Sequence, residues 1–428
     1  MALGGGVWVT QNKKLPGSYI NFVSVKGASG TLSERGVVAL PLALNWGANG
    51  VTTLTADDFY NRSDKILGYK YTADEMKGLR EVFKNATKVL IYNLNTGGVK
   101  ASNDYATAKY AGVRGNAVKI TVTNTTDSKF KVQTLLDNKE VDVQVVTSVA
   151  DLVSNDYVDF KADANLTETS GTQLSGGTNG TTTGTEWATA LSTLETYTFN
   201  VLGAVTTDEQ VKETVVNWTK RMRDDMGVKF QSVVFNKAGD YEGVINVVNK
   251  VGETADIVYW VAGAQAGCAV NKSCTNKTYD GEYDIDVNYS QDDLIECINN
   301  GQFVFHRVGD EVRVLTDVNS LVTITEDKGE VFKSNQTIRV IDQIGNDIAA
   351  IFNNRFIGKI PNDNSGRISL QNAIVSHHKE LQDIRAITDF TAEDVTVSEG
   401  NDKKSVLVTD NITVVNAMEK LYMTVVVS

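Results

Sequence analysis

Residues 337–361 read TIRVIDQIGNDIAAIFNNRFIGKIP, and this stretch decides the architecture of the C-terminal part of the chain. Its apolar residues recur mainly every three or four positions, which places them along one side of a helix of about five turns. They are Ile338, Ile341, Ile344, Ile348, Ile351, Phe352 and Phe356. Gly358 and Pro361 end the helix. We expect its apolar side to be buried.

The residues that follow repeat the helical period and then change to the period of strands. A second helix is predicted over about 368–387 from Ile368, Ala373, Ile374, Leu381 and Ile384. From Asp394 onward every second residue is apolar, at Val395 and Val397 and then at Val406 and Val408. The pattern predicts a helix pair on a small antiparallel sheet, which is also what an ordinary α+β domain core would show.

Upstream, strands alternate with helices, which predicts a doubly wound α/β core sheet. The predicted strands are Gly36–Leu40, Lys88–Tyr92, Thr198–Leu202, Gln231–Phe235 and Asp256–Trp260. The predicted helices are Thr72–Lys84, Trp187–Thr196 and Asp208–Met226. The last of these has Asp208 as its N-cap, Gly227 as its terminator and a buried stripe that includes Met226.

A polar segment from about Thr96 to Glu186 interrupts this alternation. It contains short alternating runs such as Val118–Val122 and Val141–Val145, with turn residues at Asp137-Asn138 and 176–180. We therefore predict a β-rich, sandwich-like insertion. The predicted domains are an extended arm over 1–26, an α/β core over 27–95 and 187–335, the insertion over 96–186, and a C-terminal α+β domain over 336–428.

The C-terminal series of helix, Gly-Lys-Ile-Pro (358–361), second helix, alternating strands and final AMEKLYMTVVVS (417–428) resembles the C-terminal domain of contractile-tail sheath proteins. These are the sheaths of bacteriophages and of R-type bacteriocins. The resemblance covers nearly the whole chain and is strongest over about 337–428. It implies a homo-oligomer whose copies form a helical sleeve around a tail tube protein and shorten it to drive the tube into a target cell.

The resemblance also implies partners and a location. Baseplate and tail-terminator proteins would meet the two ends of the sleeve, and the chain would occupy the bacterial cytoplasm during assembly and then a virion or bacteriocin tail. Its N-terminal arm and C-terminal strand would leave the subunit and complete a small sheet on neighbouring copies. The implied interaction residues are Val7, Trp8, Val9, Leu421, Tyr422, Met423, Thr424, Val425, Val426 and Val427.

The final strand supports exchange by its own composition, since it has β-branched residues on both faces and would invite aggregation if left unpaired. The alternative is an edge strand that pairs inside its own domain. The family places its tube contact in the C-terminal domain, so the candidate contact residues are Arg339, Asp342 and Arg355. Charge reversal at these three positions is expected to spare folding.

Composition limits the partners that we expect. The net charge is −12 and lysine and arginine form no runs, so no nucleic-acid partner is predicted. No stretch of about 18 apolar residues occurs, and the first residues lack the pattern of a signal peptide, so neither membrane insertion nor export is predicted. Cys268, Cys274 and Cys297 match neither a disulfide framework nor a zinc pattern.

Enzymatic signals were sought because α/β sheets support many activities. The sequence has no G-x-G-x-x-G between a strand and a helix and no phosphate-binding P-loop. Of the three histidines, His306 is predicted at a sheet edge, and His377 and His378 are predicted as a surface pair beside Lys379 and Glu380. No glycine-flanked nucleophilic serine accompanies them. The chain is thus predicted to be no enzyme and to bind no cofactor or metal.

Three acidic clusters are interpreted as solvated charge, namely Asp224-Asp225, residues 280–286 and Asp292-Asp293. The last is predicted to begin a helix capped by Ser290. Two other functions remain open from the sequence. One is a non-contractile surface or adhesin-type structural protein whose binding module is the insertion, and the other is an enzyme with a diverged site.

Overall fold

The structure is a computed structural model that describes residues 32–427 and divides them into two compact units. The larger unit comprises Glu34–Asn346, Arg385–Thr388 and residues 412–427. The smaller unit comprises residues 32–33, Asp347–Ile384 and Asp389–Asn411. The predicted N-terminal arm over 1–26, with Val7, Trp8 and Val9, lies outside the described residues.

The elements are numbered in chain order. The first part of the core comprises β1 (Val37–Leu42), β2 (Gly50–Thr55), α1 (Ala56–Ile66), α2 (Lys77–Phe83) and β3 (Lys88–Asn93). The insertion comprises β4 (Ala106–Ala108), β5 (Val118–Asn124), β6 (Phe130–Leu136), β7 (Lys139–Val146), β8 (Val158–Phe160) and β9 (Thr169–Gln173). The core continues with α3 (Gly184–Leu194), β10 (Val201–Ala204), α4 (Glu209–Asp224), β11 (Gln231–Phe235), β12 (Val244–Val247), α5 (Ile257–Gly267), α6 (Gln291–Asn299), β13 (Gln302–Phe303), β14 (Phe305–Val308) and β15 (Glu311–Val314). The chain ends with α7 (Asn335–Arg355), α8 (Asn364–Asp383), β16 (Ile387–Thr388), β17 (Val395–Glu399), β18 (Val406–Asp410) and β19 (Thr413–Val414).

A seven-stranded sheet of order β13-β12-β11-β10-β1-β3-β2 forms the centre of the larger unit. Its strands are parallel except β2, which pairs antiparallel with β3 at one edge. Alternate residues face opposite sides: Val38 and Leu40 pack with α2 and α5, while Ala39 packs with α3 and α4. Helices thus cover both faces, which confirms the predicted doubly wound core.

Helix α5 corrects one sequence prediction, because Asp256–Trp260 was expected to be a parallel strand. The segment instead begins a helix whose side chains are buried nearly all round. A short apolar run looks the same in a buried strand and in a buried helix, so periodicity could not separate them. The helix also packs unusually closely on α2, since a Cβ atom at Gly263 would lie 2.5 Å from the Val82 carbonyl oxygen.

Helix α4 begins where the sequence predicted and ends at Asp224, two residues before the predicted end at Met226. The Asp208 carboxylate accepts hydrogen bonds from the amides of Gln210 (2.9 Å) and Val211 (3.0 Å), and Gly227 follows with φ +73°. The predicted buried stripe holds through Met222 but not at its last position. Met226 is exposed, because it lies beyond the last helical residue.

The insertion consists of a four-stranded antiparallel sheet of order β7-β6-β5-β9 and the pair β4-β8, packed around one apolar cluster. The predicted turn at Asp137 and Asn138 joins β6 to β7, and both residues have positive φ (51° and 62°), as a two-residue hairpin turn of type I′ requires. Val99 and Thr178 exchange backbone hydrogen bonds of 2.9 and 3.1 Å. The two chain crossings into the insertion are therefore adjacent.

Helix α7 corrects a second prediction, which concerns the side of the helix that is buried. Ile338 and Ile351 are buried as expected, but Ile341, Ile344, Ile348 and Phe352 are only half-buried. The polar residues between them lie in the interior instead, namely Arg339, Asp342, Gln343 and Asp347. Periodicity identified the helix correctly. It could not show that polar partners elsewhere in the chain would cover the polar side.

Candidate assembly site

Asp317 is the centre of a buried hydrogen-bond network in the larger unit. Its Oδ1 accepts hydrogen bonds from Gln265 Nε2 on α5 (2.6 Å) and from Asn335 Nδ2 at the start of α7 (2.9 Å). Its Oδ2 accepts from the Cys274 amide (2.9 Å) and the Arg339 guanidinium (3.2 Å). A buried carboxylate is tolerated only when it is paired and hydrogen-bonded. The network therefore holds the first turn of α7 against α5 and against the two loops that contain Cys274 and Asp317.

Two of the three predicted tube-contact residues are interior residues, which corrects their assignment to an exposed polar stripe. Arg339 is 1% exposed and also donates to the Lys272 carbonyl oxygen (2.7 Å). Asp342 is 5% exposed and receives two hydrogen bonds from Arg223, of 2.6 and 2.7 Å. Only Arg355 is exposed. Reversal of either buried charge would leave its partner unpaired, so for Arg339 and Asp342 we expect charge reversal to destabilise the fold.

The start of α7 also holds the beginning of the C-terminal segment. Gln336 Nε2 donates to the Val415 carbonyl oxygen (3.1 Å), and Gln336 Oε1 accepts from the Ala417 amide (2.9 Å). One buried side chain thus pairs with both backbone groups, as a neighbouring strand would. Thr337 Oγ1 adds a hydrogen bond to Asn416 Oδ1 (3.2 Å).

Beyond this point Glu419 provides a further attachment. Glu419 accepts hydrogen bonds from Thr275 Oγ1 (2.6 Å) and from Thr316 Oγ1 (3.0 Å). Thr275 and Thr316 adjoin Cys274 and Asp317 in sequence, so the buried Asp317 network positions both hydroxyl groups. Residues 415–419 are called the tail root below.

After the tail root, residues 421–427 are exposed and belong to no strand of the described chain. Leu421 is 84% exposed, Tyr422 88% and Val427 88%. The alternative that this segment pairs as an edge strand inside its own domain is wrong for residues 32–427. Its apolar side chains are exposed to solvent, so within the subunit the segment gains no hydrophobic stabilisation.

The smaller unit contains a sheet of only two strands, β17 and β18, which are antiparallel from Val395↔Asp410 to Glu399↔Val406. Within residues 32–427 each strand pairs only with the other, so the outer edges carry no further strand. Gln371 Nε2 on α8 donates to the Val395 carbonyl oxygen (2.7 Å), which fixes β17 to the helix pair. Leu407 on β18 is exposed. A two-stranded sheet with open edges is a site where another strand can add.

The two adjacent histidines of α8 correct another prediction, because they are fully buried rather than a surface pair. His377 Nε2 lies 3.1 Å from Asp347 Oδ2, and His378 Nε2 lies 2.8 Å from Asp410 Oδ2. The two Nδ1 atoms lie 3.1 Å apart. Lys379 and Glu380 suggested a solvent-facing stretch, but carboxylates on α7 and β18 cover both rings. His306 lies on β14 in a separate two-stranded sheet, and burial together with Arg313 lowers the pKa of its imidazole.

Cys268 and Cys274 lie at the same network but differ in environment. The hydrogen bond from the Cys274 side chain, together with the charges of Arg339 and Arg35, lowers the pKa of the Cys268 thiol to about 7. The pKa of Cys274 is raised instead, by that hydrogen bond and by burial. Cys268 is half-buried, whereas Cys274 and Cys297 are buried.

One residue of each acidic cluster, namely Asp293, Asp280 and Asp224, forms a hydrogen bond that stabilises local structure. Ser290 and Asp293 form the predicted N-cap of α6, with the Asp293 amide donating to Ser290 Oγ (3.2 Å). The hydrogen bond from the Ser290 hydroxyl lowers the pKa of Asp293. Asp280 accepts from the indole of Trp260 (2.8 Å), and Asp224 accepts from the Tyr241 hydroxyl (2.6 Å).

Sequence reasoning missed Gln336, Asp317 and Glu419. The polar triplet Asn335-Gln336-Thr337 directly before an apolar helix was a usable signal, since three polar side chains there suggest bonding to other segments. Asp317 had no such signal. Its partners are 18 to 52 residues away along the chain, and only folding brings them together.

Comparison with known proteins accounts for the whole described chain. Four family models match it: Tail sheath protein Gp18 domain III N-terminal region over residues 35–94, Phage tail sheath protein beta-sandwich domain over 96–179, Phage tail sheath protein central domain over 180–320, and Phage tail sheath C-terminal domain over 327–428. The chain is 34% identical to the phage-like element PBSX protein XkdK of Bacillus subtilis, over 100% of both chains. Among residues 32–427, no helix is long and apolar enough to cross a membrane.

Solved structures agree with these matches. The sheath tail protein from Desulfitobacterium hafniense has 36% identity and a TM-score of 0.82, covering 95% of this chain and 99% of that one. The helical sheath of the anti-feeding prophage in its contracted state has the same fold at 14% identity, with a TM-score of 0.58 over 97% of this chain and 99% of that one. The full-length similarity, the four successive domains and the exposed C-terminal segment lead to one conclusion: this chain belongs to the phage tail sheath protein family.

Proposed function

We propose that this sheath subunit assembles helically around a tail tube and that the sleeve contracts to drive the tube into a target cell. The observation that carries the proposal is the C-terminal segment 421–427, which exposes a continuous series of apolar and β-branched side chains. A chain with such a segment needs a partner that covers it. Many identical partners are present in a helical array.

The acceptor in this proposal is the β17–β18 sheet of another copy. Its two strands pair with each other on their inner sides. Within residues 32–427 no third strand occupies either outer edge, where an added strand would pair. The N-terminal arm, with Val7, Trp8 and Val9, is proposed as a second added strand. Together these additions would convert a marginal two-stranded sheet into a four-stranded one.

Strand addition suits a sheath that changes length. Backbone hydrogen bonds between copies join the subunits through extended segments, and such segments can bend while the compact units move as rigid bodies. The two states of the sleeve would then differ in subunit packing rather than in subunit fold. No chemical step by the subunit is needed if the extended sleeve is metastable, and we propose that the chain is not an enzyme.

The remaining partners follow the sheath assignment. We propose contacts with a tail tube protein, with Arg355 as the remaining candidate residue because it is exposed near the end of α7. Baseplate and terminator proteins would contact the first and last rings. Assembly in the bacterial cytoplasm would precede incorporation into the tail of a virion or a bacteriocin.

Truncation of the C-terminal segment tests the proposal. We expect a chain that lacks residues 421–428 to fold with unchanged thermal stability, because these side chains are exposed in the subunit. The same chain should form no sleeves in negative-stain electron microscopy. Removal of residues 1–20 provides the equivalent test of the arm. Sleeves of normal length from either truncated chain would overturn strand exchange, and a full-length chain that never forms tubes would overturn the sheath function itself.

A further inference from the structure

We propose that the tail root is a built anchor that sets the position and direction of the exchanged C-terminal strand, with Gln336 and Glu419 as its positioning residues. The proposal rests on the proposed function, because it concerns the same C-terminal segment. It adds that the subunit itself aims the strand before any neighbour binds. The anchor lies wholly within the larger unit.

The contacts of the tail root differ from those of an ordinary chain end. Val415 donates to the Ala386 carbonyl oxygen (3.0 Å), and the Gln336 side chain forms hydrogen bonds with the backbone of residues 415 and 417. Three backbone groups are therefore held up to Ala417. Gln336 is 3% exposed, and burial of an amide side chain is costly unless its hydrogen bonds are made.

Glu419 completes the anchor at the surface. Each of its carboxylate oxygens accepts one hydroxyl hydrogen bond, from Thr275 and from Thr316. Thr275 is itself held, because its Oγ1 accepts from the Asp317 amide (2.9 Å). Hydrogen bonds to a charged acceptor are stronger than those between neutral groups, although solvent weakens them at an exposed site such as this one.

The anchor shortens the part of the chain that must search for a partner. Free residues after Glu419 reach about 28 Å when extended, whereas free residues after β19 would reach about 45 Å. A shorter tether that starts in a fixed direction raises the effective concentration of the strand at a correctly placed neighbour. It also lowers the conformational entropy lost on binding.

Glu419→Ala is the test, with Glu253→Ala as the matched control that removes one exposed carboxylate elsewhere. Critical concentration for assembly is measured by sedimentation, and thermal stability by calorimetry. We expect Glu419→Ala to raise the critical concentration about 3- to 10-fold, since two hydrogen bonds and the tether length are lost together. Thermal stability should not change in either variant.

Two further variants make the outcome specific. Thr316→Val keeps the shape of the side chain but removes one hydroxyl, so it should raise the critical concentration by a smaller factor than Glu419→Ala. Glu419→Gln keeps an acceptor oxygen and should restore assembly toward that of the unchanged chain. A critical concentration for Glu419→Ala equal to that of Glu253→Ala would overturn the anchor. It would leave strand exchange intact, because only the truncation of residues 421–428 tests that step.

Discussion

At the residue scale, charged and polar side chains of α7 act as structural residues because of their partners. Asp342 and Arg339 are more deeply buried than the neighbouring Ile341 and Ile344, and each is matched by a charge from another segment, Arg223 or Asp317. Such pairs add little net stability compared with apolar residues of equal volume, but removal of one partner is severe. Their contribution is to fix the helix in one orientation.

The Arg223–Asp342 pair gives the first prediction. We expect Asp342→Ala to lower the free energy of unfolding by about 3–5 kcal/mol, because Arg223 would remain buried without its counter-charge. Arg355→Glu, at an exposed position of the same helix, should change it by no more than about 0.5 kcal/mol. Chemical denaturation of the two variants measures both values. Equal losses of unfolding free energy in the two variants would contradict the placement of these side chains. The double variant Arg223→Met with Asp342→Leu removes both charges and should recover most of the stability.

Cys268 gives a second prediction, which depends on pH. Because the pKa of its thiol is lowered to about 7, its thiolate fraction rises through pH 7 and is nearly complete one to two pH units above it. Iodoacetamide should therefore modify Cys268 faster than Cys274 or Cys297, whose thiol pKa values are raised. Brief labelling followed by mass spectrometry of the peptides measures the three rates. A Cys268 rate that still rises tenfold per pH unit between pH 8 and 9 would contradict the lowered pKa.

At the scale of elements, the insertion is joined to the core by two adjacent chain crossings and by contacts that include the aromatic rings around Trp46. The Val99–Thr178 bridge holds the two crossings together. Trp46 of the core is 1% exposed because Tyr110 and Tyr157 of the insertion cover it, at ring distances of 5.3 and 6.5 Å. The insertion therefore also protects an apolar site on the core.

We predict that assembly does not require the insertion, and this contact determines how the insertion can be removed. Replacement of residues 98–179 by a short Gly/Ser linker keeps the Thr183 N-cap of α3, but it exposes Trp46. We expect that deletion to lower solubility, and the same deletion with Trp46→Ser to fold and form sleeves. Circular dichroism measures the folding of the two deletion variants, and electron microscopy shows whether each forms sleeves. A doubly changed chain without a folded core would show that the insertion is needed for the core sheet to form.

At the scale of the whole molecule, the subunit offers an apolar strand at one place and an open sheet edge at another. Under the proposed strand exchange, the net charge of −12 would make separate copies repel one another, so association would depend on specific strand pairing rather than on general attraction. A donor segment and an acceptor sheet in one chain would form contacts that repeat from copy to copy. Such head-to-tail contacts produce rings or open helices.

A truncated subunit should therefore block growth of the sleeve. Residues 1–420 retain the proposed acceptor sheet but lack the donor strand, so each incorporated copy offers nothing to the next position. We expect one truncated copy per ten intact copies to shorten the sleeves measured by electron microscopy, whereas Glu253→Ala chains at the same ratio should have no effect. Unchanged lengths despite co-sedimentation of the truncated chain would contradict the donor–acceptor scheme.

The sequence by itself determined the features that depend on neighbours along the chain. Caps at Asp208 and Ser290, the hairpin turn at Asp137-Asn138 and helix α7 lie where the residue pattern predicted them. Helix α8 (Asn364–Asp383) begins and ends about four residues before its predicted bounds of 368–387, and the predicted helical residue Ile387 lies in β16. Each of these features needs only local backbone geometry and the period of apolar residues. The alternation of strands and helices likewise predicted the doubly wound sheet.

Only the tertiary structure decided which side of α7 is buried, that residues 257–267 form a helix, and that His377 and His378 lie in the interior. Each depends on groups far away in the sequence: Arg223 and Asp317 for α7, α2 and the sheet for α5, and Asp347 and Asp410 for the histidines. A polar side chain is stable inside a protein only if folding delivers its partner, and hydrophobic periodicity contains no information about that partner.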